Sequence, residues 1–391
     1  MIATAPTASR AAPASAVRRP TALVIGPLPP PYHGGAIATQ TLLSSPVAER
    51  FRLLHLDTTD RRGFDNMGRL EAGNIVLALR HMLRCLRILR AERPDIVYVP
   101  LAQNRLGFLR DALFLLPARL LRRRVVVHVH GGGFRDFVER TDPVTRAVVR
   151  LSLARVARAI VLGERLRPML AGLVPPDRVA AVPNGIEDPY GGGLTPRTAQ
   201  EAAARADCHV VYLGTLMEAK GFLDVLDAAV QLADEAPHAR FTLAGDFFRP
   251  ADRASAERRC AGNPLLRVEF PGTVAGERKS ELLRDADIFV FPTRYAYEGH
   301  PYVILEAMAA GLPIVTTARA AIPETVVHGE TGIIVPEGDP AALAGALRTL
   351  IGDPALRARL GAAARARFLD RYVLSGWAAG ITQVFEEALA A

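Results

Sequence analysis

The chain has 391 residues, half of them hydrophobic and 23% charged, which excludes an intrinsically disordered protein and leaves room for two domains of about 150 to 200 residues each. Cys85, Cys208 and Cys260 stand far apart with no C-x-x-C pair, which argues for a reducing compartment and against a disulfide framework or a cysteine zinc site. The net charge of +8 is uneven: residues 1–190 hold 28 Arg, no Lys and 15 acidic residues, and the remainder is net acidic at −5. A basic first half suits an acidic partner surface. The plainer reading is that Arg replaces Lys almost throughout, since Lys220 and Lys279 are the only lysines.

Residues 1–20 are rich in Ala, Pro, Ser and Arg and lack the apolar segment of a secretion signal, so they are expected to be a disordered tail. No stretch of 18 apolar residues free of charge occurs, and no transmembrane helix is predicted. From residue 21, short β-branched runs at 22–25, 96–99, 125–129, 159–162 and 179–182 alternate with helix-period stretches such as 74–91 and 105–121. Strand then helix, repeated, predicts a parallel doubly wound sheet over 21–187. Pro183-Asn184-Gly185 and the loop-like DPYGGGLTP stretch place a linker at 188–206. A second series follows over 207–370, with strands expected at 209–213, 240–244, 267–270, 288–291, 313–316 and 332–335. The last helix, over 371–391, contains Trp377 and is expected to pack back toward the first domain. In open α/β sheets ligands bind beyond the carboxyl ends of the strands, so two facing halves make a cleft.

Five segments carry candidate chemistry. Gly34 and Gly35 open a helix after the first strand, where free backbone N–H groups favour a phosphate; the alternative is a Pro-rich connector with a flexible turn. The pattern is not G-x-G-x-x-G, which weakens a nicotinamide-dinucleotide reading. His130 follows a strand and precedes Gly131-Gly132-Gly133, where a neutral imidazole can hydrogen-bond a sugar hydroxyl or a leaving phosphate. His128 is expected on the opposite face, in a structural role. Lys220 closes Gly214-Thr215-Leu216-Met217-Glu218-Ala219-Lys220-Gly221, a point charge suited to a pyrophosphate beside a helix start. Val274 ends the PGTV turn, whose backbone could meet a nucleobase edge, although Pro-Gly is first of all a turn signal. Finally, Glu298 and Glu306 stand eight positions apart around Gly299, His300, Pro301, Tyr302 and Val303. If a helix begins near Pro301, Glu298 lies in the loop before it and Glu306 inside it, where a carboxylate can accept two vicinal ribose hydroxyls.

At these residues the chain resembles the retaining glycosyltransferases of family 4, whose GT-B fold sets two Rossmann-like domains face to face. The resemblance spans roughly residues 21–385 and includes the Gly loop, H-G-G, P-N-G, G-x-L-x-x-x-K-G and Glu-x(7)-Glu in the family's order, with AMAAGLPIVTT and IPETVVHGETGIIV. It implies that Lys220 contacts the donor diphosphate, Glu306 holds the ribose, and Glu298 with the backbone of 299–303 lies at the donor sugar. It also implies that His130 faces that sugar and that neither metal nor cofactor is needed. Thr215 stands where the family commonly has Arg, leaving the site one cation short; Arg294 is a candidate replacement. His300-Pro301 departs from the more usual Phe-Gly, which bears on sugar preference.

The expected function is therefore retaining transfer of a sugar from a UDP- or GDP-linked donor to a hydroxyl, on a lipid-linked or polysaccharide-precursor acceptor. The alternatives are a sugar-nucleotide epimerase, a phosphorylase on a related fold, or a non-catalytic sugar-nucleotide-binding partner of another transferase. Nucleic acid is not an expected partner. Arg80, Arg84, Arg87 and Arg90 share a helix face beside Leu79, Leu83, Leu86 and Leu89. The apolar stretch 106–121 runs into Arg122-Arg123-Arg124. Both patterns suit an anionic membrane surface, and equally suit ordinary helices covering a sheet. The expected location is cytoplasmic, with peripheral attachment to the inner face of the membrane.

Overall fold

The computed structural model describes residues 18–30, 34–59 and 72–391. The expectation of a disordered tail falls largely on residues 1–17, outside the described residues. Two parallel six-stranded sheets form the core of the molecule. The first has the order β2-β1-β3-β4-β5-β6, built from β1 (Thr21–Gly26), β2 (Arg52–Asp57), β3 (Ile96–Pro100), β4 (Arg124–Val129), β5 (Arg158–Val161) and β6 (Val179–Ala181). The second has the order β12-β11-β10-β7-β8-β9, built from β7 (Cys208–Leu213), β8 (Ala239–Ala244), β9 (Val268–Glu269), β10 (Ile288–Phe291), β11 (Ile314–Thr317) and β12 (Gly332–Val335).

The central strands β1 and β7 are buried along their whole length, as continuous apolar runs covered on both faces must be. β2 is the strand that the sequence pattern did not reveal. It is an edge strand of composition RLLHLD, exposed at Arg52, and its polar residues hide the run. β9, at the edge of the other sheet, has only two residues.

One face of the first sheet packs against the helices Ala72–Ala91, Arg105–Leu120 and Pro143–Leu153 through Cys85, Leu89, Phe108, Leu115 and Val149. The other face is covered from far along the chain. Trp377, Ile381 and Phe385 of the helix Leu374–Ala390 lie in one cluster with Val24, Tyr98, Val126 and Ile160. Phe385 meets Phe51 edge-on at 5.3 Å. Burying Ile381 and Phe385 stabilises this packing by roughly 1.5–3 kcal/mol each.

The chain therefore crosses between the halves twice, and the crossings are bonded to each other. Ile186 pairs with Val373 as a parallel bridge. The Ile186 N–H donates to the Tyr372 carbonyl at 3.0 Å, and the Leu374 N–H to the Ile186 carbonyl at 2.8 Å. Beside them Asp188 accepts two bonds from the buried Arg365, at 2.8 and 2.7 Å, and this pair holds the Asp188 carboxyl below its usual range.

Candidate active site

In the second sheet β7 and β10 are neighbours from which later strands run outward in opposite directions, the crevice where open α/β sheets take their ligands. The loop after β7 carries Lys220 at the end of the short turn Glu218–Lys220, and the helix Phe222–Leu232 follows. Gly221 between them has φ +80°, and a β-carbon there would collide with the Pro292 carbonyl, so glycine lets this loop close on the loop after β10. That second loop holds Glu298, whose carboxylate lies 3.6 Å from the Lys220 ammonium. Thr293 Oγ1 is 3.3 Å from the same carboxylate. The rings of Phe291 and Tyr295 stand 5.7 and 5.6 Å from Lys220 Nζ and fix the ammonium on its apolar sides.

Glu306 lies on the helix Tyr302–Ala309, and its Oε1 is 2.5 Å from Nζ of Lys279 on the helix Gly276–Asp285. Burial pushes the Glu306 carboxyl up and the Lys279 ammonium opposes that rise. The only two lysines of the chain thus each face one of the two glutamates. Sequence reasoning weighed the scarcity of lysine at Lys220 and overlooked the same signal at Lys279.

The neighbours of Arg294, Thr215 and His300 show what each side chain is engaged in. Arg294, the candidate replacement for the cation missing at Thr215, has its guanidinium held by Asp224 at 2.6 Å and Glu218 at 3.1 Å. The Thr215 side chain is exposed, and its carbonyl accepts from the Tyr212 hydroxyl at 3.2 Å. The His300 ring is buried and fully engaged. Nδ1 accepts the Asn184 backbone N–H at 2.9 Å, which leaves Nε2 to donate to Thr325 Oγ1 at 2.7 Å. Burial lowers this imidazole to about 3, so it stays neutral. The Asn184 side chain returns a bond to the His300 carbonyl at 2.8 Å. His300 therefore braces the chain crossing to the second half, and at a donor only its backbone is left to act.

From the first half, β4 delivers His130 and the three glycines after it. The halves meet there backbone to backbone: a β-carbon on Gly132 would sit 2.5 Å from the Glu298 carbonyl oxygen, and one on Gly299 2.5 Å from that of His130. The expectation for His128 needs correction. Residues two apart in an extended segment share a face, and the His128 and His130 rings stack at 3.8 Å. The Tyr98 hydroxyl lies 2.8 Å from His128 Nδ1 and 3.4 Å from His130 Nε2. Burial lowers His130 to about 4, and burial together with the charge of a protonated His130 lowers His128. This wall of the cleft is neutral. Gly34 and Gly35 open the helix Gly34–Ser44 beyond β1, and among the described residues nothing lies within 4 Å of where a Gly34 β-carbon would stand. Val274 is half-buried against the second core. Among the described residues no group of three or more His, Cys, Asp or Glu could hold a metal.

Residues 47–188 match the family model described as Glycosyltransferase Family 4, and residues 207–353 match Glycosyl transferases group 1. The chain belongs to glycosyltransferase family 4. The transferase is 26% identical over 285 residues to the alpha-D-kanosaminyltransferase of Streptomyces kanamyceticus, a match covering 70% of this chain and 72% of that protein. It is 38% identical over 129 residues to the phosphatidyl-myo-inositol mannosyltransferase of Mycobacterium leprae, covering 33% of this chain and 34% of that one. Anabaena HepE, solved in complex with UDP-glucose, superposes with a TM-score of 0.68 at 19% identity over 95% of this chain and all of that chain. That likeness is one of fold, the GT-B arrangement.

Beside the glycine contact the transferase has a cavity of about 500 Å³ opening between the halves. Gln103, Arg105, Asp136, Arg140 and Asp142 line it from the first half, and Tyr297, 49% exposed, lines it from the second. Gln103 Oε1 accepts the Gly133 N–H at 2.8 Å and anchors the glycine loop at its edge. Two arginines and two aspartates leave this lining without net charge.

Proposed function

We propose that the transferase moves a sugar from a UDP- or GDP-linked donor to a hydroxyl acceptor, with retention and without a metal ion. The observation that carries this reading is the pair of Lys–Glu contacts on the second half opposite the neutral His130. Lys220 and the N-terminal N–H groups of the helices Phe222–Leu232 and Tyr302–Ala309 take the developing charge of the diphosphate. Glu306, steadied by Lys279, accepts the ribose hydroxyls, and Glu298 with the backbone of 299–303 lines the donor sugar. The acceptor hydroxyl enters from the cavity beside Tyr297 and attacks on the face the diphosphate leaves. The bond from the anomeric carbon to the phosphate oxygen breaks as the bond to the acceptor oxygen forms, and the acceptor proton ends on the departing phosphate. His130 hydrogen-bonds a donor-sugar hydroxyl. Retention follows from the family resemblance, and the UDP-glucose bound to HepE supports a nucleotide-sugar donor.

The acceptor is read as lipid-linked, with the first half resting on an anionic membrane. Ile75, Val76, Leu79 and Leu83, each about half exposed, form one outward stripe beside Arg80, Arg84, Arg87 and Arg90, while Leu89 turns into the core. Each Arg near an anionic surface would add about 1 kcal/mol.

A thermal-shift screen of nucleotide sugars, followed by turnover in excess EDTA, tests the core of this reading. A shift with one base and not the other, and transfer that EDTA leaves intact, are expected. Activity lost in EDTA and restored by manganese would overturn the metal-free step. Binding without turnover across donors and acceptors would favour a non-catalytic partner.

A further inference from the structure

At the end of the first sheet remote from the cleft, a cavity of about 620 Å³ lies at the amino ends of β4, β5 and β6. β4 runs its six residues, about 20 Å, between this cavity and the glycine loop. The charged side chains lining it are all arginine: Arg119, Arg122, Arg123, Arg124, Arg155 and Arg178. Ala391 reaches its rim.

Three observations set this cluster apart. Where arginines crowd together elsewhere they meet carboxylates: Arg197, Arg205 and Arg240 converge on Asp285 and Asp287, and Arg158, on neighbouring β5, pairs with Glu387 at 3.0 Å. Among the described residues, none of Arg122, Arg123, Arg124, Arg155 and Arg178 has a side-chain ion pair or hydrogen bond, and Arg119 reaches only the Leu151 carbonyl. Second, Nε of Arg123 is buried without a partner, a donor that solvent does not satisfy. Third, the rim is apolar and open, with Leu120 83% and Leu151 56% exposed. Burial and the nearby Arg155 both weaken the hold of Arg119 on its proton, the mark of like charges crowded in a partly desolvated space.

We propose that this cavity is a binding site for a phosphomonoester or diphosphate group attached to an apolar chain. Guanidinium forks match phosphate oxygens two at a time, and a dianion relieves the repulsion among the arginines. Leu120 and Leu151 offer a surface for the apolar part. A neutral sugar finds no acceptor side chain there. A nucleic acid finds no aromatic side chain in the lining on which to stack a base. The site is separate from the cleft and does not depend on the transferase reading.

The test uses the full chain at low salt with two probes, inorganic pyrophosphate by calorimetry and vesicles containing phosphatidic acid by co-sedimentation. Phosphatidylcholine vesicles serve as the control. Because pyrophosphate also suits the cleft, each probe is applied to Lys220→Ala and to Arg123→Gln/Arg178→Gln. Lys220→Ala should retain one class of pyrophosphate site, and the double arginine variant should bind that class at least tenfold more weakly while keeping wild-type response to the nucleotide. If Arg123→Gln/Arg178→Gln does not fold, Arg122→Gln/Arg124→Gln replaces it, since both side chains are exposed. Pyrophosphate binding that the arginine variant loses identifies a free phosphate as sufficient. Loss confined to phosphatidic acid vesicles identifies a lipid headgroup. Wild-type binding of both probes by the arginine variants, or no binding of either by Lys220→Ala, overturns the site.

Discussion

The two walls of the cleft are built from opposite chemistry. The wall from the second half holds two close Lys–Glu contacts, which use every lysine in the chain. The wall from the first half presents stacked neutral imidazoles and glycine backbone, although that half carries the excess of arginine. Positive charge is concentrated where a diphosphate would gain negative charge, and on the side where an acceptor would enter Arg105 and Arg140 are balanced by Asp136 and Asp142. The excess of first-half arginine lies away from this wall, at the helix face of Arg80, Arg84, Arg87 and Arg90 and at the remote cavity of Arg119 to Arg178.

The largest effect should come from emptying the charged wall. Lys220→Ala is expected to lower kcat by about 10²- to 10³-fold, the scale of removing one preorganised donor to a developing anion. Thr215→Arg should be tolerated and should tighten diphosphate binding. Near-normal turnover in Lys220→Ala, measured with the donor that the screen identifies, would mean that the charge of the leaving group is carried elsewhere and would end the contrast between the walls.

An intermediate effect is expected at the other ion pair. Glu306→Ala removes two charge-assisted bonds to ribose, each worth roughly 1.5–3 kcal/mol, so calorimetry should show nucleotide affinity falling by about a hundredfold or more. Lys279→Ala should weaken binding in the same direction by less, since it loosens the carboxylate without removing it. Unchanged affinity in Glu306→Ala would remove the ribose from this residue.

The smallest effect concerns the neutral groups and is read as stability. His300 and His130 have folded values of about 3 and about 4, below the unfolded value near 6.5. The unfolded chain therefore binds more protons as pH falls from 6.5, and stability is complete above that pH and is lost progressively toward pH 4. The melting temperature should decline over this window, and more shallowly in His300→Gln. An identical slope in that variant would show that His300 does not report the buried brace.

Most strands, both glycine loops and the two glutamates were legible in the sequence, because buried parallel strands are continuous apolar runs and the loops sit at their ends. What stayed hidden depends on partners that local pattern does not encode. β2 carries polar residues at a sheet edge. Lys279 lies in a charged helix, GERKSELLRD, that reads as solvated until Glu306 is folded against it, 27 residues away in sequence. Arg294 looked available until Asp224, from the first turn of the helix Phe222–Leu232, proved to hold it. The face of His128 was readable and was misread: with period two, it had to share the face of His130.

The helix Leu374–Ala390 has a consequence for the order in which the molecule can be made. The sheet it covers is complete in sequence by residue 181, yet the cover of Val24, Tyr98, Val126 and Ile160 is completed only when Trp377, Ile381 and Phe385 arrive. At roughly 5–20 residues per second, a ribosome needs about 10 to 40 seconds to reach them. Through that interval the first half carries an apolar face that its own Leu42, Val47 and Phe51 shield only in part, and the second half, synthesised later, can close its core first.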